Sequence, residues 1–216
     1  VNWLDICRRV RKECGLSGTD TSPTSVIGQS GEMLAVVNWV GSAWLAIQSL
    51  RKWDWLWEIA PLTLAADANT IAGTVSHERY AKDSMMAGER ELTYLPWPQF
   101  RARFQADEIV DGDPQHWTVR PDRTLVFDAR PDAEMSLTVE RYAAPAAMPT
   151  TGDADTEEPV MPADQHEAIV WRAVMFYAGF DEASALYQHA KTEYRRIMGS
   201  AEIDGLPTIE LGASLA

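Results

Sequence analysis

Residues 53–61 read WDWLWEIAP, three tryptophans at alternate positions followed by Ile59, Ala60 and Pro61. The fold turns on this stretch. Alternation is the period of a strand, yet the apolar positions leading into it have helical spacing. Met33, Val37, Val40, Trp44 and Ile47 form one stripe, and Val36, Trp39, Ala43, Ala46, Leu50, Trp53 and Trp57 form another. The spacing predicts a helix over 31–57 that is apolar on two sides and needs cover on both. The first and last helices can supply some of that cover, and another subunit the rest. Pro61 disfavours helical geometry at Ala60, so the helix must stop near there. Trp53 and Trp57 then share one side while Trp55 points elsewhere, which makes the stretch a helix end held between two apolar surfaces.

Upstream, Trp3, Ile6, Cys7, Val10 and Cys14 fall on one helical face with Arg8, Arg9, Arg11 and Lys12 largely opposite. Gly15 and Gly18 end that helix, and residues 15–31 are a Gly/Ser/Thr-rich loop. Ser30 is placed to cap the next helix, with Glu32 favourable against its dipole. Downstream, residues 59–147 turn to strand patterns. LTYL (92–95) alternates, WTVRPDRTLVFD (117–128) is two short strands around a Pro-Asp-Arg turn, and MSLTVERY (135–142) sets Leu137 and Val139 against Ser136, Thr138 and Glu140. Together they predict a small antiparallel meander, with PQFRARF (98–104) as helical turns on its edge. Residues 148–162 form a solvated acidic loop without a base. Asp164 and Glu167 make a capping box for a long helix over 163–199, which Gly179 could bend. The tail, 200–216, has isolated apolar residues and no periodicity, too little to order alone.

The fold class is therefore α+β. N-terminal helices (1–58) and a C-terminal long helix (163–199) form a bundle. A small antiparallel β subdomain (59–147), the acidic loop (148–162) and an extended tail (200–216) complete the chain.

Charge restricts function. The chain carries a net −13, but residues 1–57 hold six basic and five acidic side chains, leaving −14 to the remainder. Such a surface repels phosphate backbones, which argues against adhesive nucleic-acid binding but not against a wall past which DNA slides. No run approaches the roughly 18 uninterrupted apolar residues of a membrane span. The N-terminal bases follow the apolar residues, an order that predicts an intracellular chain without a secretory signal. Cys7 and Cys14, about 10 Å apart along a helix, are too distant for a disulfide within it and read as buried thiols.

No reagent site emerges. IGQSGEM (27–33) has the wrong spacing for a nucleophile elbow. His77, His116, His166 and His189 lack metal-ligand spacing, and His166 and His189 read as solvated helix residues. Asp153, Asp155 and Glu157 lack the glycine and terminal glutamate of a calcium loop. Glu58, Glu108 and Asp111 could be offered as the carboxylates of a cell-wall hydrolase, but no spacing supports them. Nine tryptophans raise a sugar-binding module, although five cluster at one helix, where packing explains them.

Three stretches carry a resemblance. VNWVGSAWLAIQSLRKWDWLW (37–57) resembles the hallmark of bacteriophage head-to-tail adaptor (connector) proteins, an Asn-Trp and Trp-x-x-Ile-Gln core leading to a tryptophan-rich helix end. YLPWPQFRARF (94–104) with residues 116–145 is similar to their β portion, and residues 159–198 resemble their last helix. Arg123 departs from the pattern, standing where a turn glycine is expected, as does Met135 or Glu134, standing where an aromatic is expected. The resemblance implies a non-enzymatic virion protein at the head–tail interface, assembled in the host bacterial cytoplasm, with no cofactor, metal or membrane. It implies a ring of such subunits, twelve in number, beneath the portal protein. The ring extends the DNA channel without sequence-specific binding and docks a tail tube or tail hub protein. On this reading Ile203, Leu206, Ile209, Leu211 and Leu215 meet the portal, and Trp39, Trp44, Trp53, Trp55 and Trp57 form the seam between copies. The alternatives are a tail terminator or head-completion protein and, in other classes, the hydrolase or the sugar-binding module.

Overall fold

The computed structural model describes residues 1–16, 23–73, 75–104 and 110–204. Among these are five α-helices: α1 (Trp3–Glu13), α2 (Gly31–Leu50), α3 (Trp97–Phe104), α4 (Glu167–Phe180) and α5 (Ser184–Asp204). The strands are β1 (Trp57–Leu64), β2 (Thr70–Ile71), β3 (Met86–Ala87), β4 (Arg90–Glu91), β5 (Thr93–Tyr94), β6 (Val110–Asp111), β7 (His116–Val119), β8 (Leu125–Phe127), β9 (Ala129–Arg130) and β10 (Met135–Tyr142). The α+β class holds. The chain divides into two compact units, one made of Val1–Trp55 with Pro145–Ala216 and the other of Leu56–Ala144.

In the first unit α4 is the central element, in contact with α1, α2 and α5. Its buried residues run almost without a break from Ala168 to Met175, as expected of a helix covered all round. Cys7, Val10, Val36, Val40, Ile47, Ile169 and Val174 are sealed in this unit. Asn2 caps α1 by accepting from the Asp5 amide at 2.8 Å, and Gly15 leaves the helix at φ +68°.

Several helix limits differ from the sequence reading. α2 ends at Leu50 rather than Trp57, because Arg51 is extended (φ −161°, ψ 178°) and residues 54–56 form a separate 3-10 turn. Trp57 opens a strand, so Trp53 and Trp57 do not share a helix face. The single long C-terminal helix is two, broken at 181–183 where Glu182 adopts φ +53°, and the second continues to Asp204. Ser30 stands at the N-cap of α2 without a side-chain capping bond. Asp164 falls in a 3-10 turn (Ala163–Gln165), and His166, not Asp164, precedes α4, so the expected capping box does not form.

The second unit is built on the full register of β1 with β10, from Trp57↔Tyr142 to Leu64↔Met135. Ala60, Leu64, Leu137 and Val139 point into its core with Trp117, Leu125 and Phe127, while Ser136 and Thr138 face out. Trp117 is fully buried and donates from Nε1 to the Leu92 carbonyl at 3.2 Å. Pro61 is accommodated because β1 is the edge of the sheet β1–β10–β3–β4. The second sheet, β2–β8–β7–β5, is antiparallel except for β5 on β7, and β6 pairs β9 in parallel. Two short parallel pairs thus join the expected antiparallel framework.

Candidate functional site

The tryptophans of the opening stretch organise the end of α2 inside the first unit. Trp44 and Trp55 stack at 5.4 Å, Trp55 and Trp53 at 6.0 Å, and the Arg51 guanidinium lies 4.9 Å from the Trp53 ring. Trp3 meets Trp44 edge-on at 5.5 Å. Trp53 Nε1 donates to the Ile47 carbonyl at 2.7 Å, satisfying one of the acceptors that a helix C-terminus leaves open. The costly aromatic surface is therefore an internal lock: it folds the chain back and caps the helix with an indole.

This changes the expected seam. Trp44 and Trp53 are buried within the subunit, so their rings are not available to a neighbouring copy. Trp55 is half-buried between them. Trp39 is half-buried against Tyr177 (5.3 Å) and Phe180 (6.2 Å), the latter 79% exposed. Trp57 is 46% exposed and shares the outward face of β1 with Ile59 and Pro61. With Trp3, Trp117 and Trp171 also buried, five of the nine indoles are closed to stacking on a sugar.

What α2 leaves open is more informative. Its chain-covered side is Val36, Val37, Val40, Ala43, Trp44, Ile47 and Gln48. The opposite side presents Leu34 and Leu45 with Asn38, Ser42 and Ser49 among them, all exposed, and Leu50 is exposed at the end of the helix. Glu32 is the only charged residue in the helix. Length and a mean hydropathy of 1.4 would suit α2 to a membrane, but α1 and α4 cover one face of it as protein core. Beside the open face lies a groove of about 290 Å³ lined by Val37, Gly41, Leu45 and Met148.

A residue that the sequence reading missed fixes this groove. Gln48 is buried and clamps Ala146, donating from Nε2 to its carbonyl at 2.8 Å and accepting from its amide at 3.0 Å. A polar amide inside an apolar run was the available signal, because a buried glutamine must find such partners. The acidic loop is also more structured than expected. Asp155 accepts from the Val26 amide, the Glu157 carbonyl accepts from the Trp3 amide at 3.1 Å, and Ala154 is fully buried. Asp153, Glu157 and Glu158 remain exposed around that anchored backbone.

The other candidates do not assemble. Glu58 is bound to Arg141 at 2.8 Å, Asp111 is exposed on β6, and Glu108 lies outside the described residues. His116 Nδ1 lies 2.7 Å from Asp128 Oδ2, whose other oxygen accepts from the Gln115 and His116 amides. His166 is buried, its Nε2 2.9 Å from the Met161 carbonyl oxygen, so it is not the solvated residue expected; His189 is exposed against Trp171. Among the described residues no three His, Cys, Asp or Glu side chains converge to hold a metal. Cys7 and Cys14 are free, buried thiols. Burial, with Asp155 adding to it, pushes Cys7 up to about 12; burial, then Glu13 and Asp181, does the same for Cys14. Of the five apolar tail residues, Ile203 lies in the last turn of α5, and Leu206, Ile209, Leu211 and Leu215 lie outside the described residues.

No curated protein matches the chain. The family model described as SU10 adaptor protein matches residues 1–208, spanning both units and the open face of α2. The chain belongs to the SU10 adaptor protein family, a family of bacteriophage adaptors, and is a structural adaptor protein of a phage.

Proposed function

We propose that the protein is a non-enzymatic head-to-tail adaptor whose copies form a ring under the portal protein, extend the DNA channel and dock the tail. The observation that carries the ring is the open side of α2. A 20-residue helix with a single charge keeps one side in its own core, exposes Leu34 and Leu45 on the other and leaves Leu50 open at its end. Apolar helix surface of that kind is stable in water when a partner covers it. A second copy is the natural partner for a protein built to repeat around an axis. Trp39 with Phe180, and Trp57 with Ile59, extend the apolar surface available for contacts within each unit. Twelve copies of a chain at −13 give a strongly negative ring that repels the DNA passing through it, which suits low-friction transit.

The tail residues Leu206, Ile209, Leu211 and Leu215 belong to this reading as the portal-binding segment, following α5 in sequence. The test is electron microscopy of the protein mixed with isolated portal particles. An added layer with the symmetry of the portal is the expected result, and protein truncated after Asp204 should fail to add it while keeping its helical circular dichroism. Portal particles that remain bare with the full chain, or a truncated chain that binds equally well, would overturn the respective half of the proposal.

A further inference from the structure

A second surface, unlike the first, lies on the Leu56–Ala144 unit. In α3, Trp97, Arg101 and Phe104 recur at helical spacing, and the adjoining β7–β8 turn brings Arg120 to 5.7 Å from the Trp97 ring. Arg123 belongs to the same turn, its amide donating to the Arg120 carbonyl at 2.9 Å. Arg103 lies 5.2 Å from the Phe104 ring. Two elements thus place two guanidiniums, Arg103 and Arg120, over aromatic rings, with Arg101 and Arg123 exposed on the same two elements. Only Arg120 has a carboxylate partner there, Asp122 at 3.1 Å; Arg101, Arg103 and Arg123 are exposed and make no ion pair among the described residues. Asp107 and Glu108 follow α3 in sequence and lie outside those residues.

The contrast with α1 gives this weight. There three of the four bases are paired within the chain, Arg8 with Asp5, Arg9 with Glu13 and Arg11 with Glu32, while Lys12 is exposed without an ion pair among the described residues. The favourable field at a helix C-terminus accounts for Arg101 and Arg103 in the last turn of α3. It does not account for Arg120 and Arg123, which come from another element. In a chain with 32 acidic and 19 basic side chains, a group of exposed arginines beside rings, Arg103 and Arg120 stacked on them, is suited to receive carboxylates.

Resting on the ring reading above, we infer that the α3 face of one copy receives the acidic loop around 151–158 of the next copy. Charge complementarity selects this occupant. The loop carries no base, its exposed Asp153 and Glu157 stand on a backbone anchored by Asp155, Glu158 beside them is paired with the Val1 ammonium at 3.2 Å, and the loop is present in every copy. DNA would be attracted to the same arginines but repelled by the rest of a −13 surface. Two different patches that complement each other make a head-to-tail contact, the class that closes into rings.

The native thiols leave the test a silent background, since both are buried and held protonated. Ala102→Cys and Thr151→Cys are made as separate proteins, both at exposed positions, and joined with a short bis-maleimide in the presence of isolated portal particles. The expected result is a covalent dimer from the mixture and none from either variant alone, with a ladder of higher species from the doubly substituted chain. Arg101→Glu with Arg103→Glu should lower the dimer yield about tenfold or more. Pairing that protein with Asp153→Arg and Glu157→Arg in the neighbour should restore it. A ring that forms on portal particles but gives no mixed dimer, or gives dimers from one variant alone, overturns this contact and leaves the ring reading standing. Failure of the parent protein to associate with portal particles or with itself overturns both.

Discussion

Gly73→Ala tests the packing of the hairpin turn that carries Arg120 and Arg123. A Cβ at position 73 would lie 1.9 Å from the Arg123 carbonyl oxygen and 2.9 Å from Leu125 Cδ1. The close atom is backbone, so no side-chain rotation relieves it, and the turn or the glycine must shift by more than about 1 Å to reach ordinary contact. That shift pulls on the Arg123 amide, bonded to the Arg120 carbonyl at 2.9 Å, and on the Arg120 amide, bonded to the Thr124 carbonyl at 2.8 Å. Overpacking costs about 1–3 kcal/mol. Weakening one or two turn bonds adds about 1 kcal/mol. A total of about 2–4 kcal/mol lowers the melting temperature of a chain this size by roughly 5–15 °C. Thermal melts followed by near-ultraviolet circular dichroism measure it, with Gly179→Ala as control, because nothing lies within 4 Å of a Cβ there. The control should melt at or slightly above the parent. A Gly73→Ala protein melting within about 2 °C of the parent would refute the steric reasoning.

Arg123→Gly acts on the same turn in the opposite direction: the arginine holds φ +72°, and glycine there should raise stability by about 0.5–1 kcal/mol, read in urea melts. Leu45→Glu should leave the subunit's melting temperature within about 2 °C, since Leu45 is already 38% exposed, yet abolish the layer added to portal particles, because the proposed contact would bury an unpaired carboxylate. Ellman's reagent at pH 8 should find neither thiol in the native protein and both in denaturant. The thiols also set an alkaline limit. Their folded values of about 12 exceed the ordinary 9.0, so the stability they contribute is complete below about pH 9 and is lost as pH rises toward 12. A urea midpoint that stays flat over that window would contradict the burial.

The strands were legible where alternation had one buried side. Residues 135–142 form β10 as expected, with Leu137 and Val139 inward, and the Pro-Asp-Arg turn joins β7 and β8. Even the missing turn glycine was informative, since Arg123 occupies a left-handed conformation. The end of α2 was not legible. Local periodicity carries the apolar stripe through Trp53 and Trp57, but stacking with Trp44 and the bond from Trp53 to Ile47 favour a fold-back that no spacing rule describes. The break between α4 and α5 carries neither glycine nor proline, because Glu182 supplies the positive φ that usually marks one. His166 and Gln48 show the same limit: their burial depends on segments far away or folded back, such as Ala146, that pattern alone does not place. Sequence showed that α2 had too much apolar surface for one neighbour, but not which side the chain itself would cover. α4 decides that, and it lies 117 residues or more beyond the end of α2.

Charge and packing together constrain how such a subunit can assemble. Copies at −13 repel at long range, and the repulsion acts over about 10 Å at 0.1 M salt. Contacts between them must therefore be either uncharged, as on α2, or locally complementary, as between the α3 arginines and the acidic loop. The two kinds respond oppositely to salt. Screening relieves the general repulsion and leaves the α2 contact intact, so added salt first favours assembly. Further salt weakens the arginine–carboxylate contact, so assembly should then decline. A ring held by α2 alone would show only the rise, whereas a decline at higher salt marks a contribution from the charged contact. Sedimentation of the portal mixture between 20 and 500 mM salt (about 20 Å and 4 Å of screening) separates the two cases. The Arg101→Glu, Arg103→Glu protein should lose the declining arm along with its tightest binding, because the contact that salt would weaken is no longer there.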